Sequence, residues 1–413
     1  MTNTLSAAVA TSARTDAATE SDHAILSEVA DTLTTPRDQP ANSFVLHAPL
    51  EVAARSALMR FVDDAHRHDA RERLREVARQ WAASGNPVAP PSALPAESEA
   101  AGTFAAALDA GDPDAADASA TMLARFAQPG DLAALIGDAI LTRTTAAAHA
   151  PIFLYLLPRV APRGELPVAL LRPLARELAR VPDWRIRWVD EFVPATTTAS
   201  GLFAAIAATP RVGAGDSQFV HPTLMQVDPS GVAAGQLAGT VPSRDHRAAA
   251  HAILRAAALS MLLEPDDHAP YGWSHCLTMP QAVLGISDRL ADPARAIAVA
   301  ATYAVAFRAT LGVRPLDEDG YAPERPALAW RESFAAGSSA AAAAVWHADA
   351  ADDPLILIEL ASRAAVHGDA HLVKYTLACL DAAAFDTERR RLYLAAAAHL
   401  HGVWATTATP WRD

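Results

Sequence analysis

The segment Gly368-Asp369-Ala370-His371-Leu372-Val373-Lys374-Tyr375-Thr376 indicates both how this chain folds and where its chemistry is concentrated. Asp369 follows a glycine, and an aspartate in that position is typical of a helix cap. The residues after it lack the alternation of a strand, so the segment predicts a helix that runs through Lys374 and Cys379. His371 and Lys374 are then three residues apart and project from one face of that helix.

Similar helical signals recur from Pro49 onward, and no convincing strand pattern interrupts them. Helical spacing of apolar residues, Asp-Pro and Pro-Gly start signals and a composition rich in alanine predict helices at 49–65, 67–83, 103–110, 113–127, 131–148, 151–158, 165–180, 245–263, 273–290, 293–312, 333–349, 354–366, 370–384 and 387–402. The sequence therefore predicts an all-α fold with a single large multi-helix catalytic domain at residues 41–405. This fold class disfavours the sheet-based pyridoxal phosphate and Rossmann enzymes.

Three segments are predicted to lie outside the regular helices. Residues 84–102 are rich in proline, and residues 209–243 are rich in Gly, Pro and Ser, so both are predicted to be loops. Residues 1–40 have neither the basic nor the apolar region of a signal peptide. They are predicted to be a disordered N-terminal extension.

The composition limits the partners of the protein. A net charge of -13 with few basic clusters disfavours nucleic acid as the main partner. No strongly apolar window is long enough to span a bilayer, so no membrane partner is expected. Two cysteines are too few for a disulfide framework and fit a reducing compartment, which favours a cytoplasmic location. The sequence leaves the oligomeric state open.

Lys374 is the one lysine in a chain that contains 33 arginines. A lysine that is retained where every other basic residue is arginine indicates a position that needs an amine able to lose its proton. A neutral amine forms Schiff bases, acts as a base or captures carbon dioxide to become a carbamate. An accidental survivor in an arginine-rich composition is the alternative.

Three further histidines lie in segments suited to an interior site. His47 precedes the first long helix, His251 occupies an apolar helix one turn before Arg255, and His275 begins a helix beside two aromatic residues. Each of them alone is more typical of a hydrogen-bonded core histidine than of a metal ligand. His221 and His246 are alternatives for any one of them.

Together these segments resemble the questin oxidase-like family. Its members share a histidine before the first long helix, a His-x-x-x-Arg helix, a His-x-Val/Leu-Thr segment and a closing Gly-Asp-x-His-x-x-Lys-x-Thr element. The matching residues, spread over about 41 to 384, are His47, His251, Arg255, His275, Leu277, Thr278, Gly368, Asp369, His371, Lys374, Thr376 and, one position early, Ala378. Only the last element is specific. The chain departs from the family at Leu46, where a polar residue is usual, and at Met279, where glycine is usual.

The resemblance implies a non-haem Fe(II) centre that uses dioxygen to open a ring of an aromatic polyketide, such as an anthraquinone, in secondary metabolism. The implied metal ligands are His47, His251, His275, His371 and a CO2-derived carbamate on Lys374. Four neutral imidazoles leave the charge of the dication uncompensated, and one anionic oxygen donor lowers the net charge to about +1.

The residues around these ligands have expected roles as well. Those expected to orient ligands or hold a substrate oxygen are Arg255, Thr278 and Asp369. Those expected to line a pocket for a small aromatic substrate are Tyr271, Trp273 and Met279. The two positions at which the chain departs from the family pattern, Leu46 and Met279, affect the expected shape of this pocket.

Two other functions are compatible with the sequence. In a metal-independent enzyme, Lys374 would form a Schiff base or act as a base while His371 shuttles protons. In a non-enzymatic helical scaffold, the histidines would be scattered and the lysine accidental.

Overall fold

The computed structural model describes residues 15–38, 47–160, 168–195, 201–213, 215 and 217–407, with side chains from residue 22 onward. These residues form helices and contain no strand, which confirms the all-α fold. The α-helices are α1 Thr15–Leu33, α2 Ala48–Leu58, α3 Asp64–Ala82, α4 Ala100–Ala110, α5 Pro113–Phe126, α6 Leu132–Ile140, α7 Ala150–Val160, α8 Leu171–Arg180, α9 Leu202–Ala207, α10 Val220–Val227, α11 Val232–Leu237, α12 His246–Leu263, α13 Ser274–Ile286, α14 Pro293–Leu311, α15 Trp330–Ser333, α16 Ser338–Trp346, α17 Asp353–Val366, α18 Ala370–Phe385 and α19 Arg390–Thr406.

Two predicted segments differ from the structure in ways that matter for the site. The helix predicted at 131–148 ends at Ile140, and the chain then leaves helical geometry before α7 begins at Ala150. The loop predicted at 209–243 contains α10 and α11. Both differences arise where short apolar runs are bounded by glycine or threonine, and the hydrophobic periodicity of such short runs does not assign their secondary structure well.

The N-terminal region contains a helix within the segment predicted to be disordered. Helix α1 packs on α3, and Ile25, Leu26, Val29 and Leu33 are buried in the core. Their spacing places them on one helical face, but Ser, Asp and Thr between them hide the pattern in the sequence. Residues 1–14 and 39–40 of the predicted extension lie outside the described residues.

The main hydrophobic core extends through the described chain from Ile25 to Trp404, and Met59, Val62, Ala70 and Ala365 form a smaller cluster. Small residues let its helices approach closely: a Cβ atom at Gly402 of α19 would lie 2.6 Å from the carbonyl oxygen of Gly337, at the start of α16. Helix α14 is long and apolar enough to cross a membrane, but 94% of its most apolar window is buried inside the fold. Burial of this kind is what a central core helix shows.

Four helices form the part of the fold that carries the site. Helix α2 packs on α7, α7 on α13, α13 on α18, and α18 returns to pack on α2. Helices arranged in a closed cycle enclose a small interior space between them. The first turns of these four helices supply the side chains described next.

Candidate metal centre

Four imidazoles and one amine meet where these helices begin. His47 directly precedes α2, His149 directly precedes α7, and His275 and His371 are the second residues of α13 and α18. The ring centroids are separated by 4.4 Å for His47–His149, 5.5 Å for His149–His275, 4.9 Å for His275–His371 and 5.9 Å for His371–His47. Lys374, one turn further along α18, completes the group, which we call the histidine-lysine cluster.

His149 is held by an unusual turn of the backbone. Ala146, Ala147 and Ala148 all have left-handed dihedrals, with φ of 51°, 51° and 58°. This conformation is costly for residues that carry a Cβ atom and is often found at functional sites. The His149 ring donates from Nδ1 to the carbonyl oxygen of Ala146 at 3.0 Å, and its Nε2 accepts from Lys374 Nζ at 3.0 Å. The turn thus fixes which ring nitrogen faces the cluster.

Asp369 orients His371 in a comparable way. Its Oδ1 accepts from the backbone nitrogen of His371 at 2.6 Å and from ring Nδ1 at 3.0 Å. The Tyr271 hydroxyl donates to the other Asp369 oxygen at 3.3 Å, and the Tyr271 ring lies edge-on to His371 at 4.7 Å. A carboxylate that holds Nδ1–H fixes the ring orientation and assigns the metal-binding role to Nε2, which is the usual arrangement behind a metal-bound histidine.

His275 is the least satisfied member of the cluster. It is 2% exposed, and neither ring nitrogen makes a hydrogen bond of normal geometry. The backbone carbonyl of Tyr271 lies near the ring and acts to raise the His275 pKa. Its geometry does not meet that of a hydrogen bond. Buried polar atoms without partners are rare and costly. Both ring nitrogens are therefore available to an additional partner.

Burial sets the protonation state of the cluster. Its five side chains are between 2% and 8% exposed. Burial, reinforced by Lys374 and the neighbouring rings, holds the pKa of His47, His149 and His275 well below the ordinary value, and the pKa of His371 is lowered in the same direction. The positive ends of α2, α7 and α18 favour neutral rings as well. Neutral imidazole is the form that binds metals.

Burial also lowers the pKa of Lys374 to about 8, although Asp369 and Glu51 act against this change. An amine with this pKa is largely neutral in mildly alkaline solution, whereas an ordinary lysine is not. The carboxyl group of Asp369, by contrast, keeps its charged form. Burial acts to raise its pKa, but its interactions with His371 prevail and lower it, so this carboxylate stays ionised.

The separations of the four rings can be compared with those of an octahedral metal site. With a metal–nitrogen bond of about 2.1 Å, each ring centroid lies about 3.2 Å from the metal, so adjacent ligands of an octahedral site are about 4.6 Å apart and opposite ligands about 6.5 Å. The observed separations of 4.4 and 4.9 Å are close to the value for adjacent ligands, and those of 5.5 and 5.9 Å lie between the two values. As the side chains stand, no three His, Cys, Asp or Glu donors in the described residues are arranged to hold an ion.

The structure does not bring every predicted residue to the cluster. His251 packs against Phe385, about three turns beyond Lys374 on α18, and Arg255 pairs with Asp386 and Glu318 in the same region. His149 stands where the fourth imidazole was expected. The alternatives His221 and His246 lie elsewhere: His221 stacks on Trp184 at 3.4 Å, and His246 begins α12.

The predicted pocket residues have mixed positions. Tyr271 contacts His371, but Trp273 and Met279 are fully buried core residues. The Thr278 hydroxyl donates to the carbonyl of Ser274 within α13, and Thr278 lines a small cavity of about 10 Å³ with Lys374 and Gln281.

A second small cavity touches the cluster at His47 and His149. It has a volume of about 20 Å³, enough for about one water molecule. His47 and His149 form its inner wall. The other lining residues are Pro49, Leu50, Trp81, Ala146, Phe153, Pro173, Leu174 and Glu177. Because Leu174 and Glu177 are partly exposed, this cavity leads from the cluster towards the surface.

No sequence signal pointed to His149. Its segment, Thr144-Thr145-Ala146-Ala147-Ala148-His149-Ala150, reads as the end of a helix because alanine is the best helix former. Left-handed turns are normally marked by glycine or asparagine, and neither is present. The proline after Ala150 is the one sign that a new helix begins there.

Comparison with known proteins found no match: no family model, no curated protein and no solved structure resembles this chain at a significant level. The resemblance to the questin oxidase-like family therefore depends on the short motifs alone. The geometry of the cluster stands independently of that resemblance.

Proposed function

We propose that this protein is a non-haem iron-dependent oxygenase whose metal is held by His47, His149, His275, His371 and a carboxylated Lys374. The observation that carries the proposal is the buried cycle of four neutral imidazoles around one amine of lowered pKa. Buried polar atoms cost stability unless a partner satisfies them, and both ring nitrogens of His275 lack a hydrogen-bond partner. Imidazole donors suit Fe, Zn, Cu and Ni, so the ligand set fits iron without selecting it alone.

The protein residues have defined tasks in this proposal. Asp369 and the Ala146 carbonyl hold the Nδ1–H groups of His371 and His149, which directs the Nε2 atoms of both rings inward. Tyr271 holds the second oxygen of Asp369 and so limits its rotation. The surrounding apolar walls exclude bulk water from the cluster. When bound, ferrous iron would supply the one-electron chemistry by which dioxygen attacks an aromatic ring.

Carboxylation of Lys374 follows from the charge of the site. The Glu51 carboxylate is engaged by Arg55 and that of Asp369 by His371, so neither is a free acidic donor to the cluster. The positive helix ends add to the charge of a dication. An anionic oxygen donor on Lys374 compensates that charge, and the neutral amine that carboxylation requires is present because burial lowers the pKa.

Ring cleavage of an anthraquinone-like polyketide is proposed from the motif resemblance. The small cavity beside His47 and His149 supports access by a molecule of about the size of dioxygen, and a polycyclic substrate would require the side chains at its mouth to move. Leu174 and Glu177 are partly exposed and stand at that position. We place the substrate against this mouth, on the side of α8.

Metal analysis combined with isotope labelling tests the proposal. Protein loaded anaerobically with Fe(II) is expected to bind close to one iron per chain, and protein loaded with diamagnetic Zn2+ in [13C]bicarbonate is expected to show one lysine carbamate signal by 13C NMR. Because the chain has one lysine, the signal must disappear in Lys374→Arg. Iron binding by Lys374→Arg equal to that of the unchanged protein, or wild-type protein without iron, would contradict the proposal.

A metal-independent lysine enzyme is the second candidate. The lowered pKa of Lys374 and its 3.0 Å contact with His149 are what a Schiff-base lysine with a proton-transfer partner needs. The volume beside the amine argues against it, because the cavity that Lys374 lines measures only about 10 Å³. Borohydride trapping of a carbonyl compound on Lys374 in metal-free protein would favour this candidate.

A further inference from the structure

We propose that Arg55 is a positioning residue for the metal centre: it fixes the segment that delivers Asp369, His371 and Lys374 against the helix that delivers His47. The inference rests on the proposed function for the identity of the ligand. Its structural claim concerns the contact between two segments of this chain.

Arg55 is completely buried and makes hydrogen bonds with all three guanidinium nitrogens. On its own helix, α2, it pairs with Glu51, with Nε donating to Oε1 at 2.9 Å. Across the interface it donates to the carbonyl oxygens of Ala365 at 2.6 Å and His367 at 2.7 Å, and more weakly to Ala364 at 3.3 Å. These carbonyls belong to the last turn of α17 and the residue after it.

Arg73 of α3 strengthens the same contact. It donates to the Gly368 carbonyl at 2.8 Å and lies 3.6 Å from Glu51. The carbonyl groups of residues 364, 365, 367 and 368 are therefore held by two arginines that share one carboxylate. Asp369 is the next residue, and it caps α18 and holds the His371 ring.

The arrangement joins two of the segments that supply the cluster. His47 is at the start of α2, and Glu51 and Arg55 follow at intervals of four residues, so all three lie along one face of that helix. A planar guanidinium fixes both direction and distance when it binds several acceptors, which an ammonium cannot do. Arg55 thus sets the position of His371 relative to His47.

Four proteins test this role: the wild type, Arg55→Met, the double variant Glu51→Met with Arg55→Met, and the control Arg308→Met. Arg308 is matched to Arg55 because it is also a buried arginine that pairs with a glutamate, Glu264, and donates to a carbonyl, that of Arg314. It makes no described hydrogen bond or ring contact with the cluster.

The measurements are urea unfolding of metal-free protein, Co2+ affinity measured with the metal alone, and the 15N NMR shifts of the His371 ring. Arg55→Met is expected to lose stability and to bind Co2+ about 10- to 100-fold more weakly, the range for residues that orient metal ligands. The double variant leaves no unpaired buried carboxylate, so it should recover stability but not affinity. Arg308→Met should lose stability and keep its affinity.

The NMR shifts keep the test independent of the proposed function. In metal-free wild type the His371 proton is expected on Nδ1, and in the double variant it should be distributed over both ring nitrogens. If the double variant regains wild-type affinity, or keeps the proton on Nδ1, Arg55 is only a stabilising residue and the inference fails. A wild type that binds no Co2+ refutes the proposed function, while the NMR result still decides the role of Arg55.

Discussion

His275→Leu is expected to stabilise the metal-free protein, which is unusual for a change to a buried polar residue. Both ring nitrogens of His275 are buried without a hydrogen-bond partner, and a buried polar group in that state costs about 1–3 kcal/mol. Leucine has a comparable size and no polar atoms. We expect the unfolding free energy of the metal-free protein to rise by about 1–3 kcal/mol, less any loss from imperfect shape.

His149→Leu is the matched control, because this ring has the same size and burial but both nitrogens are paired. Its removal leaves the Lys374 amine without the imidazole it contacts and takes one of two donors from the Ala146 carbonyl, so we expect a loss of about 1–3 kcal/mol. The two variants should therefore shift stability in opposite directions. The hydrogen-bond inventory is the only difference between them that predicts opposite signs.

The assay is urea unfolding at pH 8 after treatment with a chelator, repeated with Co2+. At a metal concentration 100-fold above the dissociation constant, the wild type should gain about 2.7 kcal/mol, and His275→Leu should gain much less. The order of stabilities then reverses between the two conditions. If His275→Leu destabilises the metal-free protein as much as His149→Leu does, the reasoning from unpaired nitrogens is refuted.

Three further predictions concern the metal-free protein. The clustered histidines have lower pKa values in the folded protein than in the unfolded chain, so the unfolded chain binds more protons in acid. The unfolding free energy should therefore decrease as the pH falls from about 6.5, by up to about 1.4 kcal/mol per pH unit for each ring. A stability that does not change from pH 7 to 5 would contradict this. The pKa of Lys374 is about 8 in the folded protein and 10.5 for an ordinary lysine, so the unfolding free energy should rise by about 3 kcal/mol between pH 8 and pH 10.5. A Lys374→Met variant should not show this rise. Ala147→Gly should raise the melting temperature, because glycine adopts left-handed backbone dihedrals without the strain of a residue that carries a Cβ atom; we expect a gain of up to about 1 kcal/mol. A lowered melting temperature would argue against that strain.

Helical content was predictable because it depends on local signals. The Gly368-Asp369 boundary is observed as predicted, with Asp369 as the cap of α18, and the His371 and Lys374 side chains lie in the same cluster as their three-residue spacing implies. Those features follow from a few neighbouring residues. Helix α1 was missed because its apolar face is narrow and depends on its contact with α3.

The choice between His149 and His251 could not be made from local sequence. Both follow three alanines, Ala146 to Ala148 in one case and Ala248 to Ala250 in the other. The first run forms a left-handed turn and the second continues a helix, and that difference is imposed by tertiary contacts around α7 and α12. Identical short patterns adopt different structures when their surroundings decide the energy.

The iron content of His149→Ala compared with that of His251→Ala tests the central claim most directly. Both variants and the wild type are loaded with Fe(II) under the same anaerobic conditions, and bound iron is measured per chain after gel filtration. The account predicts that His149→Ala loses most of its iron while His251→Ala keeps the wild-type content. Loss of iron in His251→Ala with retention in His149→Ala would contradict it.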